Sequence, residues 1–154
     1  MDLLIFIGLQ ASGKSTLYRT SFAATHAYIS KDLLRNNKKP AQRQLQLLEE
    51  ALQAGHSVVI DNTNPTPEDR APLIALGHQY GARVIGYLFE TQVQRSLDWN
   101  DQRTGKAHVP RIGIFATLKR LTAPLYKEGF DELYRVRPTA DLQFDIQPIN
   151  STQV

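Results

Sequence analysis

The 154-residue chain contains no cysteine. That absence removes a disulfide framework, a Cys-based zinc site and a thiol nucleophile together, and it fits a reducing, cytoplasmic setting. Long apolar runs are missing as well. The run Leu3 to Ile7 is far short of the roughly 20 residues of a membrane span, so no membrane partner is expected. Nor does that run read as a secretory leader, because Asp2 stands where a basic region would precede it. Internal repeats and low-complexity linkers are absent too, which leaves one domain able to bury about two thirds of its unfolded surface. Acidic residues are scarce in one place. Between Lys14 and Arg43, Asp32 is the single acid against Lys14, Arg19, Lys31, Arg35, Lys38, Lys39 and Arg43. A second basic group, Arg95, Arg103, Lys106, Arg111, Lys119 and Arg120, is diluted by Asp98 and Asp101. With a net charge of +3, this distribution favours phosphate-rich partners. The competing reading is that a few cations serve one small phosphate-bearing ligand and the rest form a solvated face.

What is present centres on Gly8 to Ser15, where Gly8, Gly13, Lys14 and Ser15 fit the spacing G-x-x-x-x-G-K-[ST] of a phosphate-binding loop. Glycines let the backbone turn tightly with successive N–H groups aimed at phosphate oxygens, and the lysine reaches the β and γ phosphates. The candidate nucleotide-binding residues are therefore Gly8, Gln10, Ala11, Ser12, Gly13, Lys14, Ser15 and Thr16, with Ser15 as a ligand of Mg²⁺. The flanks suit the motif: an apolar strand precedes it, and Gly13 to Ala24 reads as a helix whose positive end faces the phosphates.

Further strands are expected at Ala27 to Ile29, Val58 to Ile60, Arg83 to Phe89 and around Leu133 to Val136, making five in a mainly parallel sheet. Between them, Pro40 to Ala54 carries Leu45, Leu48 and Leu52 on one helical face, and Thr66 caps a helix with Leu73, Leu76 and Tyr80 inward. Thr91 and Gln94 predict a capping box ahead of Val93 and Leu97, and Pro110 opens a helix with Ile114, Leu118 and Leu121 inward. Strands joined by helical crossovers imply a three-layer α/β fold, helices on both faces. The expected domain is residues 1–138, with a short helical lid at about 100–112. Residues 139–154, including Leu142, Phe144 and Ile146, are expected as an edge strand or a loosely held tail.

Residues at strand ends must decide the chemistry. Asp32 follows the second strand, where a carboxylate can orient the proton of an attacking hydroxyl, or merely stabilise a helix start. Arg35 is placed to hold an acceptor phosphate or to pair with Asp32. Asp61 closes a strand where it can support the Mg²⁺ shell. Asn62, Thr63 and Asn64 offer substrate contacts and are equally good turn formers. Arg103, beyond Asn100, is the candidate to reach a transferring phosphoryl group from a mobile lid, or is a solvated arginine favoured by the dipole near a helix C-terminus. Trp99 has the shape to stack on a base, but a lone tryptophan is more often packing, and it is left outside the candidate site.

Taken together, Gly8 to Thr16, Ser30-Lys31-Asp32, Ile60 to Pro65, the Asn100, Arg103, Val109 and Pro110 set, and Glu128-Gly129-Phe130 resemble the kinase domain of 5′-hydroxyl polynucleotide kinases and related bacterial P-loop kinases. The resemblance implies a P-loop NTPase fold, ATP with Mg²⁺, and transfer of the γ-phosphate to a hydroxyl at a nucleic acid 5′ end. It makes Lys14, Asp32 and Arg103 catalytic, with Asp32 as base, Arg103 also on the nucleotide, and Arg35 on the acceptor. Gln10 and Ala11 depart from the frequent Pro and Gly, and Trp99 replaces a lid cation of some members. No companion phosphatase or ligase segment is evident, and no obligate protein partner is inferred. A small-molecule hydroxyl acceptor, or a nucleotide switch with no acceptor, remains the alternative.

Overall fold

Leu3, Ile5 and Ile7 alternate with Leu4 and Phe6, and all five are shielded from solvent. A strand buried on both faces belongs in the middle of a parallel sheet. The computed structural model describes residues 1–141 and 143–151; Leu142, residues 152–154 and the side chain of Lys106, which the sequence reading includes, lie outside the described residues. In chain order the elements are β1 (Asp2–Ile7), α1 (Lys14–Leu17), β2 (Ala27–Ile29), α2 (Pro40–Gln53), β3 (Val58–Asp61), α3 (Pro67–Gln79), β4 (Arg83–Phe89), α4 (Val93–Asp101), α5 (Arg111–Arg120), β5 (Glu132–Pro138) and β6 (Phe144–Pro148). The sheet order is β2-β3-β1-β4-β5-β6, with β6 antiparallel to β5 and all other pairs parallel.

Each face of the sheet has its own apolar layer. Leu3, Ile5 and Ile7 pack with Leu48 and Leu52 of α2 and Leu73 and Ile74 of α3. Leu4, Phe6, Val59, Ile85, Phe89 and Val136 pack beneath Leu17, Tyr18 and Phe22 on the opposite side. A smaller cluster of Leu9, Leu97 and Ile114 seats α4 and α5 beside the phosphate loop. Thr66 caps α3 as expected, its Oγ1 accepting the Asp69 N–H at 3.2 Å. Arg70, one turn on and wholly buried, donates to the carbonyls of Thr66, Pro65 and Thr122 and so fixes the loop after β3.

The structure corrects the sequence reading in several places. The sheet has six strands rather than five, because Phe144–Pro148 doubles back on β5 in a register pairing Pro138 with Phe144 and Tyr134 with Pro148. Pro148 ends β6 and suits an edge strand, the first of the two alternatives the sequence offers for residues 139–154. The helix expected over Gly13 to Ala24 is α-helical only to Leu17 and widens into a π turn at Tyr18–Phe22. There the Thr20 hydroxyl donates to the Thr16 carbonyl at 3.0 Å, competing for an oxygen the backbone ladder would use. The capping box of Thr91 and Gln94 does not form. Gln92 is the N-cap, and Gln94 instead donates down the helix to Asp98 at 2.9 Å.

Candidate functional site

The chain leaves β1 at Gly8, whose N–H donates to the Thr63 carbonyl at 3.1 Å and so joins the phosphate loop to the end of β3. A side chain has no room here: a Cβ on Gly8 would lie 2.8 Å from that of Phe89. Gly13 closes the loop with φ +99°, a backbone state that disfavours any other residue. Ala11 holds φ +55° without being glycine, so the departure noted in the sequence carries local strain of roughly 1 kcal/mol. Gln10, the other departure, donates from Nε2 to Thr117 Oγ1 at 2.9 Å and ties the loop to α5.

Lys14 is buried within this turn. Its Nζ donates to the carbonyls of Gly8, at 3.1 Å, and Leu9, and lies 3.3 Å from Ser12 Oγ. Burial pulls the ammonium down to about 8; Asp61 opposes that shift and Arg103 adds to it. Next along the chain, the Ser15 hydroxyl donates to Asp61 Oδ2 at 2.9 Å. The same oxygen accepts from the Tyr28 phenol at 2.5 Å. Burial, reinforced by the Asp61 charge, holds the Tyr28 hydroxyl protonated well above its ordinary range.

These oxygens fit Mg²⁺ in chemistry. A hydroxyl and a buried carboxylate at hydrogen-bond separation are hard donors, and Mg²⁺ commonly takes one or two protein oxygens and completes its shell with phosphates and water. Among the described residues no group of three or more His, Cys, Asp or Glu side chains is arranged to hold a metal. A metal at Ser15 and Asp61 would therefore depend on nucleotide oxygens.

Asp32 sits in a single 3₁₀ turn, Lys31–Leu34, capped by Ser30, whose Oγ accepts the Asp32 N–H at 3.2 Å. Its side chain is 79% exposed and pairs with Arg35 at 3.3 Å. The turn is held from behind: Asn62 Oδ1 accepts the Lys31 N–H at 2.9 Å, and Asn62 Nδ2 donates to the buried Gln44 of α2 at 2.6 Å. Asn64 is buried at φ +44°, and its amide donates to the Phe6 carbonyl at 2.7 Å. The structure thus gives the amides of Asn62 and Asn64 internal partners, while the backbone of Thr63 holds Gly8.

On the other side, Asn100 is wholly buried at the end of α4 and exchanges two hydrogen bonds with the Val109 backbone, at 2.6 and 2.8 Å. That clasp closes the base of the loop carrying Arg103, whose guanidinium donates to the Ala107 carbonyl at 3.3 Å. Among the described residues one cavity of about 840 Å³ takes in the phosphate loop from Gln10 to Thr16 together with Asp32, Arg35, Asp61 and Arg103. That volume is of the size that holds a nucleotide and an acceptor group.

Sequence reasoning missed several residues of this site. Tyr28 gave no signal because a tyrosine in a short strand reads as packing. Gln44 did carry one: it lies four and eight residues before Leu48 and Leu52, a polar residue on a buried helical stripe. Trp99, left outside the candidate site, lines the cavity with Phe144, Asp69 and Arg120.

Residues 3–125 match the family model described as AAA domain. A bifunctional polynucleotide phosphatase/kinase of Schizosaccharomyces pombe is 27% identical over 140 residues, which cover 88% of this chain and 33% of that protein. The chain thus spans about a third of that relative's length. In three dimensions the chain is similar to Chaetomium thermophilum Kti12 in complex with ADP-AlF3, with a TM-score of 0.70 at 16% identity over 91% of this chain and 92% of that one. A gluconokinase from Sinorhizobium meliloti 1021 gives 0.63 at 19% identity over 92% and 86%. At such identities the likeness establishes the fold, that of the α/β P-loop kinases.

Proposed function

We propose that this chain, which belongs to the AAA domain family and has the P-loop kinase fold, moves the γ-phosphate of ATP to a hydroxyl acceptor, the 5′-hydroxyl of a polynucleotide. The observation that carries this reading is the single cavity shared by Lys14, Asp32 and Arg103. Asp32 takes the proton of the acceptor hydroxyl as its oxygen bonds to the γ-phosphorus in line, and the bond from that phosphorus to the β–γ bridging oxygen breaks to release ADP. Lys14 and Arg103 stabilise the charge on the phosphoryl group and the leaving oxygen. Ser15 and Asp61 are the residues that would hold Mg²⁺, which when bound neutralises charge on the β and γ phosphates. Asn62 and Asn64 act as positioning residues for the acceptor turn and the phosphate loop, and Arg35 faces an acceptor phosphate. The catalytic unit is residues 1–138 with a lid at about 100–112, completed by the edge strand β6, whose Phe144 lines the cavity.

The polynucleotide acceptor is favoured by the open rim around Asp32. Leu33 is 69% exposed, and Arg35, Lys38 and Lys39, which follow it in the chain, lie in solvent, a margin suited to a chain end better than to an enclosed metabolite. The relative from Schizosaccharomyces pombe supports the same choice through its name. The test is transfer of labelled γ-phosphate from ATP to a 5′-hydroxyl oligonucleotide, beside a 5′-phosphorylated control and a panel of nucleosides and sugars. Label confined to the 5′-hydroxyl strand, weakening steeply with salt, is the expected result. Label on a sugar or nucleoside alone would replace the acceptor, and phosphate released only to water would remove the transferase reading.

A further inference from the structure

The phosphate loop stands at the end of β1, and the strands that carry its chemistry lie to one side of it: β3 with Asp61, then β2 leading to Asp32. On the other side β4, β5 and β6 follow in order. The cavity runs both ways, and at its β5–β6 end the lining changes to Pro138, Phe144 and, from α4, Trp99. A triphosphate laid across Lys14 with its γ end toward Asp32 has its nucleoside at this end.

The rings are set close to the loop itself. A Cβ placed on Gly13 would lie 3.0 Å from Phe144 Cε1 and 3.7 Å from Trp99 Cζ3, so both aromatics flank the same peptide. Each is braced from behind. Phe144 meets Phe89 edge-on at 6.4 Å, and the Arg95 guanidinium covers the indole of Trp99 at 5.7 Å from the ring centre. Neither side chain is fully buried, and both line the cavity. A pair of supported aromatic rings open to a nucleotide-sized space is a stacking platform for a base, which presents a π face whatever its edge carries.

We propose that Trp99 and Phe144 form the base-binding end of the nucleotide site, stacking the nucleobase of the phosphate donor. This rests on the chain being a nucleotide-binding P-loop protein and is independent of which acceptor it phosphorylates.

Trp99 is the single tryptophan, so its emission reports this site alone. The experiment titrates the full chain with ATP and with tripolyphosphate, following fluorescence and calorimetry in parallel. ATP is expected to quench Trp99, and tripolyphosphate to bind while leaving the emission nearly unchanged. By calorimetry, Trp99→Ala should weaken ATP about tenfold and leave tripolyphosphate as it was, with Trp99→Phe restoring most of the loss. Phe144→Leu provides a second variant should Trp99→Ala not fold, and the same selective loss is expected. ATP binding without a change in Trp99 emission, or equal losses for ATP and tripolyphosphate, would overturn the base site while leaving the phosphotransferase reading intact. Quenching and selective loss in a chain that transfers phosphate to no acceptor would keep the base site and remove the transferase. A chain that binds neither ligand would overturn both.

Discussion

The Tyr28 phenol and the Ser15 hydroxyl donate to one and the same oxygen of Asp61, at 2.5 and 2.9 Å. The carboxylate proposed to support the metal is therefore gripped from the edge strand as well as from α1. Replacing Tyr28 by Phe keeps the ring against Tyr18, 4.5 Å away, but removes one donor from Asp61. Groups of this kind typically cost 10–100-fold in metal affinity when lost, so the Mg²⁺ concentration for half-maximal transfer should rise about tenfold. Binding of Mn²⁺ to the protein–nucleotide complex, read by its paramagnetic signal, should weaken in parallel. An unchanged metal dependence would leave Tyr28 with a packing role only.

Lys14 makes nucleotide binding sensitive to pH. Its ammonium titrates near 8 in the folded chain because burial disfavours the charge, whereas bound phosphates would favour it. Below pH 8 the lysine already carries its proton and affinity should be flat. Above that value the free protein loses the proton and binding must take one up again, so affinity falls by up to about tenfold per pH unit until the lysine of the complex itself titrates. Folding responds with the opposite sign. The unfolded chain, with an ordinary lysine, holds more protons between about 8 and 10.5, so stability from this group rises with pH through that window. Calorimetric ATP titrations from pH 7 to 10, with Lys14→Arg as a control that stays charged, check the first claim; the same slope in both proteins would contradict it.

Asp32→Asn isolates the proposed base. The carboxylate is mostly in solvent and its pair with Arg35 is an exposed one, so losing it should cost under about 1 kcal/mol of stability. The transfer rate should nevertheless fall about 10²–10⁴-fold, the usual contribution of a positioned base, with ATP affinity preserved. Turnover at the parent rate would take Asp32 out of the mechanism.

The extent to which the site was legible in sequence follows the physics of each residue. Gly8, Gly13, Lys14 and Ser15 are spaced by contiguous backbone geometry, and local spacing is what a sequence states directly. Asp61 was legible for a related reason, since an acid closing an apolar strand marks the ligand edge of a parallel sheet. Tyr28 and Phe144 were not, and the stacking shape of Trp99 could not be told from packing, because each reaches the site through strand order and helix packing, which no local pattern encodes. Asn62 and Asn64 illustrate a subtler limit. Their placement at the cavity was foreseeable, but whether an amide faces a ligand or the framework depends on distant partners such as Gln44 and Phe6.

Gln44 supplies the sharpest test of that framework role. Its Oε1 accepts from Asn62, and Asn62 in turn accepts the Lys31 N–H directly before Asp32, so α2 holds the turn that carries the proposed base through two hydrogen bonds. Gln44→Leu keeps the bulk on the buried stripe of α2 and leaves the Asn62 amide without its acceptor, at a cost of about 1–3 kcal/mol that relaxation of the turn can reduce. The turn should then lose its fixed position, raising the acceptor KM and lowering kcat several-fold while ATP affinity, set at the phosphate loop, stays the same. Asn62→Asp keeps an oxygen for the Lys31 N–H and lets Gln44 rotate to donate its own amide, so it should retain more activity than Asn62→Ala. If Gln44→Leu lowered ATP affinity and acceptor affinity alike, the helix would be supporting the whole loop cluster; if neither changed, the bond to Asn62 would have no part in placing Asp32.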